Sequence, residues 1–277
     1  MNWILKIKRF GDSIKNKVLK KFPSKIQIEK SDWVSCCVGP IRREDLEANQ
    51  YTCKECGRHH RMSCVQRFET FFGKDNYEII KTPQLIDEDP LKFEDTKPYK
   101  ERLDDAKKKT GQDCAIMVAT GKVNGIDIVA AASNFMFMGG SVSISESEAI
   151  VHAIQYAITN KKSFINFCSG GGMRMHTSSI ALHSGMVKTT LAINELKKAK
   201  LPYIVVFVDP CAGGITASYG MLGDVHFSEP GALVAFAGRR VVQSTVKENL
   251  PESFQRSSFL LDKGFIDREV NRKDLNY

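Results

Sequence analysis

No stretch of this chain approaches the roughly 18 uncharged apolar residues that a membrane-crossing helix needs, so no span is expected. A secretory signal is missing as well, because no apolar core leads into a small-residue cleavage site. Several enzyme signatures are absent. There is no Gly-x-Ser-x-Gly elbow, no P-loop lysine motif and no Gly-x-Gly-x-x-Gly turn, which argues against elbow-type hydrolases, P-loop nucleotide chemistry and a dinucleotide-binding unit. Low-complexity segments are lacking too. Acidic residues are scarce at the start: residues 1–30 carry only Asp12 and Glu29 against nine Lys and Arg.

What is present fits one large domain with a small appendage. The 277 residues are 42% apolar and 26% charged, ample for a self-sufficient core. The net charge of +8 comes largely from residues 1–30, read here as a basic N-terminal arm. Such an arm suits a solvated or partner-docking role, an organelle-targeting peptide, or binding to nucleic acid or an anionic membrane. Eight cysteines in an otherwise ordinary domain read as reduced thiols in a cytoplasmic setting.

Residues 31–65 have few aliphatics and hold Trp33, Cys36, Cys37, Cys53, Cys56, His59, His60 and Cys64. Cys53-Lys54-Glu55-Cys56-Gly57 has zinc-knuckle spacing, since two thiolates two residues apart can share one tetrahedral ion. Cys36 and Cys37 stand at the right separation to complete a zinc-ribbon-like module. Being adjacent, however, they are expected to diverge on an ordinary backbone. His59, His60 and Cys64 are alternative ligands, and loss of the metal is the competing reading.

The remainder, 66–277, reads as the main domain. Cys114–Ala119 and Ile126–Ala132 flank Asn124-Gly125, a hairpin signal. Ser145 and Glu148 have capping-box spacing ahead of a helix with Ile150, Val151, Ile154, Ala157 and Ile158 on one face. A strand over 164–168, a long helix from about Met175 to Lys198, a strand over 203–208, a short helix over 214–222 and a strand over 225–227 follow. Short apolar strands alternating with helices predict an α/β layered fold.

The strands at 164–168 and 203–208 each break into glycines: Gly170-Gly171-Gly172-Met173-Arg174 and Asp209-Pro210-Cys211-Ala212-Gly213-Gly214. If each turn opens a helix, unpaired amides there can hold an oxygen that becomes negative in an enolate or tetrahedral intermediate. Side chains nearby have bland readings beside functional ones. His176 and His183 are general-base candidates or packed histidines. Cys168 and Cys211 are nucleophile candidates or buried fillers. Arg174 binds a carboxylate or phosphate, or forms a structural ion pair.

These blocks carry a resemblance. With Phe137-Met138-Gly139-Gly140-Ser141, Ile215-Thr216-Ala217-Ser218, Phe236-Ala237-Gly238-Arg239-Arg240 and the cysteine module, the chain resembles the carboxyltransferase β subunit of bacterial-type, multi-subunit acetyl-CoA carboxylase. The resemblance spans nearly the whole chain. It implies a crotonase-like (ClpP/crotonase) fold behind a zinc ribbon, with Zn2+ on Cys36, Cys37, Cys53 and Cys56. It further implies an α2β2 assembly with a carboxyltransferase α subunit, served by biotin carboxylase and the biotin carboxyl carrier protein. The implied reaction moves a carboxyl group from carboxybiotin to acetyl-CoA, giving malonyl-CoA for fatty acid synthesis. Amides of Gly171, Gly172, Met173, Gly213 and Gly214 would be catalytic, while Gly139, Gly140, Ser141 and Arg174 would bind substrate.

The chain departs from the family pattern in places. The first cysteine pair is contracted, Met173 replaces an alanine, and His176-Thr177 replaces Gln-Glu. Val142–Glu146 replaces a small glycine-bearing run, Cys211-Ala212 replaces a threonine pair, and the chain ends at Tyr277, before the family's usual C-terminal helix. The rival readings are a stand-alone crotonase-type acyl-CoA hydrolase or decarboxylase using His176, a weakened subunit kept for assembly, and nucleic-acid binding through the arm and cysteine module.

Overall fold

Runs of Val, Ile, Phe and Ala between Ile116 and Val208 bury both faces of their strands, as a sheet covered on each side requires. A computed structural model describes residues 32–85, 87–177 and 182–276. The basic arm expected over 1–30 lies outside the described residues. The chain divides into two compact units, Met1–Asp45 and Leu46–Tyr277.

In the first unit, β1 (Trp33–Cys36) and β2 (Gly39–Arg42) pair antiparallel from Trp33↔Arg42 to Cys36↔Gly39. The two residues between them, Cys37 and Val38, make the turn, and Gly39 takes φ +113°. The Sγ atoms of Cys36 and Cys37 lie 3.9 Å apart, so these neighbours do not diverge as expected. The strand ends at Cys36, and the tight turn that follows brings the second thiol round beside the first.

The second unit is built on a mixed sheet. Its strands are β3 (Tyr77–Ile80), β4 (Ile116–Val123), β5 (Ile126–Ser133), β6 (Ser163–Gly170), β7 (Tyr203–Ala212), β8 (Val225–Ser228), β9 (Val234–Ala235) and β10 (Arg268–Glu269). Their order is β10-β8-β7-β6-β5-β4-β3, with β9 beside the end of β7. The β4–β5 hairpin turns through Asn124 (φ +50°) and Gly125 (φ +80°), as the Asn-Gly signal predicts. From β5 to β8 the pairing is parallel.

Helices cover both faces. Helix α1 (Cys64–Phe72) is capped reciprocally by Ser63 and Gln66 and buries Phe68, Phe71 and Phe72 against Ala130, Ala132, Ile165 and Phe167. Helix α2 (Tyr99–Thr110) ends at Gly111 in the left-handed region. On the opposite sheet face, α3 (Ile144–Thr159) and α4 (Thr189–Lys198) pack Ile150, Ile154, Ile193 and Leu196 over Val129, Phe164 and Val205. Among the described residues no helix is long and apolar enough to cross a membrane.

Three local expectations are corrected. The cap of α3 is Ser143 with Glu146, two residues before the expected Ser145–Glu148, because Glu146 is drawn into buried contacts described below. The helix expected over 175–198 is not continuous: a 3-10 turn covers Met175–Thr177, a π-helical stretch Leu182–Lys188, and only then comes α4. A Cβ on Gly185 would lie 3.0 Å from Met173 Sδ and 3.1 Å from Ser147 Oγ, so close packing shapes the π stretch. The helix expected over 214–222 is a run of turns ending in a 3-10 turn, Tyr219–Met221. There Thr216 and Ser218 donate to the carbonyls of Gly213 (2.8 Å) and Gly214 (2.6 Å), competing with regular helical bonding.

Candidate active site

Strands β6 and β7 lie side by side, so their C-terminal ends bring the two glycine turns together. The contact is backbone against backbone. A Cβ on Gly172 would sit 3.2 Å from the Gly214 nitrogen, and one on Gly213 would sit 3.2 Å from the Gly172 Cα. The Gly139-Gly140 block joins them: a Cβ on Gly140 would meet the Ser169 carbonyl at 2.9 Å. Three glycine blocks distant in sequence thus form one close-packed junction. Only residues without side chains permit that approach.

Hydrogen bonds divide the five expected donor amides. Gly171 N–H donates to Gly139 O (3.0 Å), and Gly213 N–H to Ala235 O (3.0 Å) and Phe236 O (3.1 Å), so both are already committed. Among the described residues the amides of Gly172, Met173 and Gly214 find no acceptor. Among the described residues the first turn runs into a 3-10 turn, Met175–Thr177, and the second into a run of turns that ends in another, Tyr219–Met221. The Met173 side chain lies over Gly214 and Gly185, filling the space beside the junction. An apolar groove adjoins the second turn, lined by Thr216, Ala235, Phe236, Phe254, Phe259 and neighbours.

Arg174 faces inward. It is 4% exposed and donates through Nε to Ser141 Oγ (3.1 Å), through one terminal nitrogen to the Tyr99 hydroxyl (3.0 Å), and through the other to Ser141 O (2.9 Å) and Glu146. Burial opposes its charge, but Glu146 and Tyr99 together outweigh that and raise its pKa. These four contacts all lie within the protein, as the structural ion-pair reading of Arg174 expects. Ser141 is likewise engaged, donating to Met138 O (2.7 Å).

His176 is a packed histidine, its ring stacked on Tyr99 (centroids 5.3 Å apart) and edge-on to Phe93 (4.9 Å). His183 is exposed. Cys168 and Cys211 are fully buried, and burial drives both thiols far above the range where a thiolate forms. They are fillers beneath the turns.

In the second unit, the Cys53 carbonyl accepts from Gly57 N–H (3.0 Å), with Gly57 at φ +71°, and Cys53 N–H donates to Arg58 O (2.9 Å). The Sγ atoms of Cys53 and Cys56 lie within 4.8 Å of each other. Two thiolates bound tetrahedrally at 2.3 Å stand about 3.8 Å apart, so this knuckle fits a zinc ion. Two of the alternative ligands are engaged elsewhere. Cys64 donates to Ala132 O (3.1 Å) with its pKa pushed up by burial to about 11, and His59 Nδ1 lies 3.3 Å from Glu229.

Sequence reasoning missed that Glu229 site. Its carboxylate, 1% exposed, also receives Arg67 (2.6 Å) and Arg272 (2.5 and 3.0 Å). Burial alone would raise its pKa, yet Arg67, His59 and Arg272 hold it far below the usual carboxylate range. Arg272 also donates to the carbonyls of Gln50, Tyr51 and His60, tying the segment around the knuckle to the sheet edge. No local pattern marks such a cluster, because its members lie up to 222 residues apart.

Residues 85–255 match the model of the Carboxyl transferase domain. The acetyl-coenzyme A carboxylase carboxyl transferase subunit beta of Pelagibacter ubique is 56% identical over 99% of this chain and 88% of its own. That of Maricaulis maris is 43% identical over 99% of this chain and 86% of its own. Among solved structures, transcarboxylase 12S superposes with a TM-score of 0.63 at 19% identity, covering 84% of this chain and 41% of that one. The Pseudomonas malonate decarboxylase MdcD-MdcE hetero-dimer gives 0.56 at 17% identity, covering 77% and 81%. The structural matches establish the crotonase-like fold. With glycine turns converging on that fold and sequence identity running through the full length, the chain belongs to the acetyl-CoA carboxylase carboxyl transferase subunit beta family.

Proposed function

We propose that this chain is the β half of a carboxyltransferase that moves the carboxyl group of carboxybiotin, presented by a biotin carboxyl carrier protein, onto acetyl-CoA to form malonyl-CoA. The observation that carries this reading is the junction of Gly172, Met173 and Gly214. It gathers amides without acceptors in one place, where a thioester oxygen gains negative charge as its neighbouring carbon becomes an enolate. Fixed amides need neither protonation nor reorganisation, and each is worth about 3 kcal/mol of transition-state stabilisation. Gly171 and Gly213 serve by shaping the junction, and Gly139 and Gly140 border its CoA side.

The packing of His176 and the burial of Cys168 and Cys211 support a route without a side-chain base or nucleophile from this chain. The N1–carboxyl bond of carboxybiotin breaks to give CO2 and a ureido anion. That anion takes the proton lost from the acetyl methyl, and the resulting enolate attacks CO2, leaving biotin protonated and malonyl-CoA formed. That leaves the second substrate site to a carboxyltransferase α subunit in an α2β2 assembly, with biotin carboxylase charging the carrier. No biotin-attachment Met-Lys-Met and no ATP-grasp signature occur in this sequence, in keeping with that division of labour.

Zinc on the Cys53–Cys56 knuckle, with Cys36 and Cys37 as the further thiols at ribbon spacing, belongs to this reading. Its role is to fix a zinc-ribbon module over 31–65, ahead of the carboxyltransferase domain over 66–277. A cytoplasmic setting is supported by the reduced thiols of Cys64, Cys114, Cys168 and Cys211.

The test is co-expression with an α-type partner, followed by assay of malonyl-CoA-dependent carboxylation of free biotin. Turnover by the pair and none by either chain alone is expected. A correctly assembled pair without turnover would overturn the reading in favour of an assembly subunit, and turnover by this chain alone would favour a stand-alone acyl-CoA enzyme.

A further inference from the structure

The geometry points to Arg174 as a positioning residue for carboxyl transfer: without touching substrate, it aims the Met173 amide through Ser141 and Val142. This inference rests on the reading above and adds to it how the donor is held.

Arg174 clamps Ser141 at two atoms, the hydroxyl (3.1 Å) and the carbonyl (2.9 Å). Val142 follows directly in the chain. Its N–H donates to Gly172 O (2.9 Å), and its carbonyl accepts from Arg174 N–H (2.8 Å). The peptide joining Gly172 to Met173 is planar and trans. Holding the Gly172 carbonyl therefore fixes the direction of the Met173 N–H on the other side of the same plane. One guanidinium thus controls the orientation of a donor that its own side chain never contacts.

The clamp is itself held. Glu146, buried completely, accepts from Arg174, from Ser143 N–H (2.8 Å) and from Ala115 N–H (2.9 Å), joining the start of α3 and the segment before β4. Tyr99, 1% exposed at the start of α2, accepts from the guanidinium at 3.0 Å. Thr177 closes the turn from the far side, 2.8 Å from Ser143 Oγ. Lysine supplies one charge but no planar fork, so it cannot reach Ser141, Tyr99 and Glu146 together.

The test uses this chain assembled with its α-type partner. Arg174→Lys is expected to lower kcat on the order of 100-fold. The KM for malonyl-CoA should move by less than about threefold, since the lost interaction acts in the transition state. Tyr99→Phe and Ser141→Ala each remove one guanidinium contact and should give smaller losses of the same kind. Should Arg174→Lys fail to assemble, these two milder variants carry the test. Hydrogen exchange gives a readout independent of turnover: the Val142 amide, which donates to Gly172 O, should exchange about tenfold faster in the variants, with β6 and β7 unchanged. Wild-type kcat per assembled complex in Arg174→Lys and Tyr99→Phe would overturn the inference, as would unaltered exchange at the Val142 amide. A wild-type pair without turnover would sink the functional reading, and the exchange measurement would still decide this one.

Discussion

Gly172 and Gly213 meet so closely that a Cβ on either would lie 3.2–3.3 Å from the Cα of the other. Both take φ in the left-handed region, +110° and +65°. Gly213→Ala therefore adds a strained backbone, costing about 1–2 kcal/mol, to a steric push that separates the turns. Activity of the assembled pair should fall on the order of 100-fold, with circular dichroism and assembly unchanged. Wild-type turnover in this variant would remove the junction from the mechanism.

His176 packs between Phe93 and Tyr99 and has no catalytic part in the proposed route. His176→Gln should keep kcat within about threefold of wild type, with the same pH profile. A loss on the order of 100-fold or more, together with a vanished titration in the profile, would reinstate this residue as a general base.

The buried Glu229 cluster sets an acid limit on stability. Its carboxyl titrates below the ordinary value of 4.5 in the folded chain, so the unfolded chain binds the proton more tightly. Its stabilisation is present above that ordinary value and is lost as pH falls below it. The partners facing it are Arg67, Arg272 and His59. Glu229→Gln should destabilise the chain by about 3 kcal/mol at neutral pH, because two buried cations lose their counter-charge. Thermal unfolding followed from pH 7 to 3 should show a shallower decline in the variant than in wild type.

Zinc at the cysteine module is checked by elemental analysis of the purified chain, with one ion per chain expected. Cys56→Ser should lower the content sharply, whereas Cys64→Ser should not, since Cys64 is committed to Ala132 within the core. Because the ligands are thiolates, retention should also weaken as pH falls. Full retention of zinc in Cys56→Ser would place the ion elsewhere.

Much of the sheet is legible in the sequence alone. Alternating and continuous apolar runs marked β4 to β8, and Asn124-Gly125 marked its hairpin, since strand periodicity and a φ > 0 turn are written locally. Helix continuity was not legible. The apolar spacing from Met175 to Lys198 is helical throughout, yet the close approach of Met173 and Ser147 to Gly185 accompanies a π stretch there. The cap of α3 was missed for a similar reason. Ser145–Glu148 and Ser143–Glu146 offer the same local spacing, and the partners of Glu146, Ala115 and Arg174, chose between them.

By itself the sequence determined strands β4 to β8, the positions of the glycine blocks and the membership they betray, because these depend on residue type and spacing along the chain. Only the tertiary structure decided which amides remain open, that Arg174 turns inward, and that Glu229 gathers Arg67, Arg272 and His59 around one buried carboxylate. Hydrogen-bond partners and buried charge are shared between segments far apart in the chain, so their assignment exists only once the chain has closed upon itself.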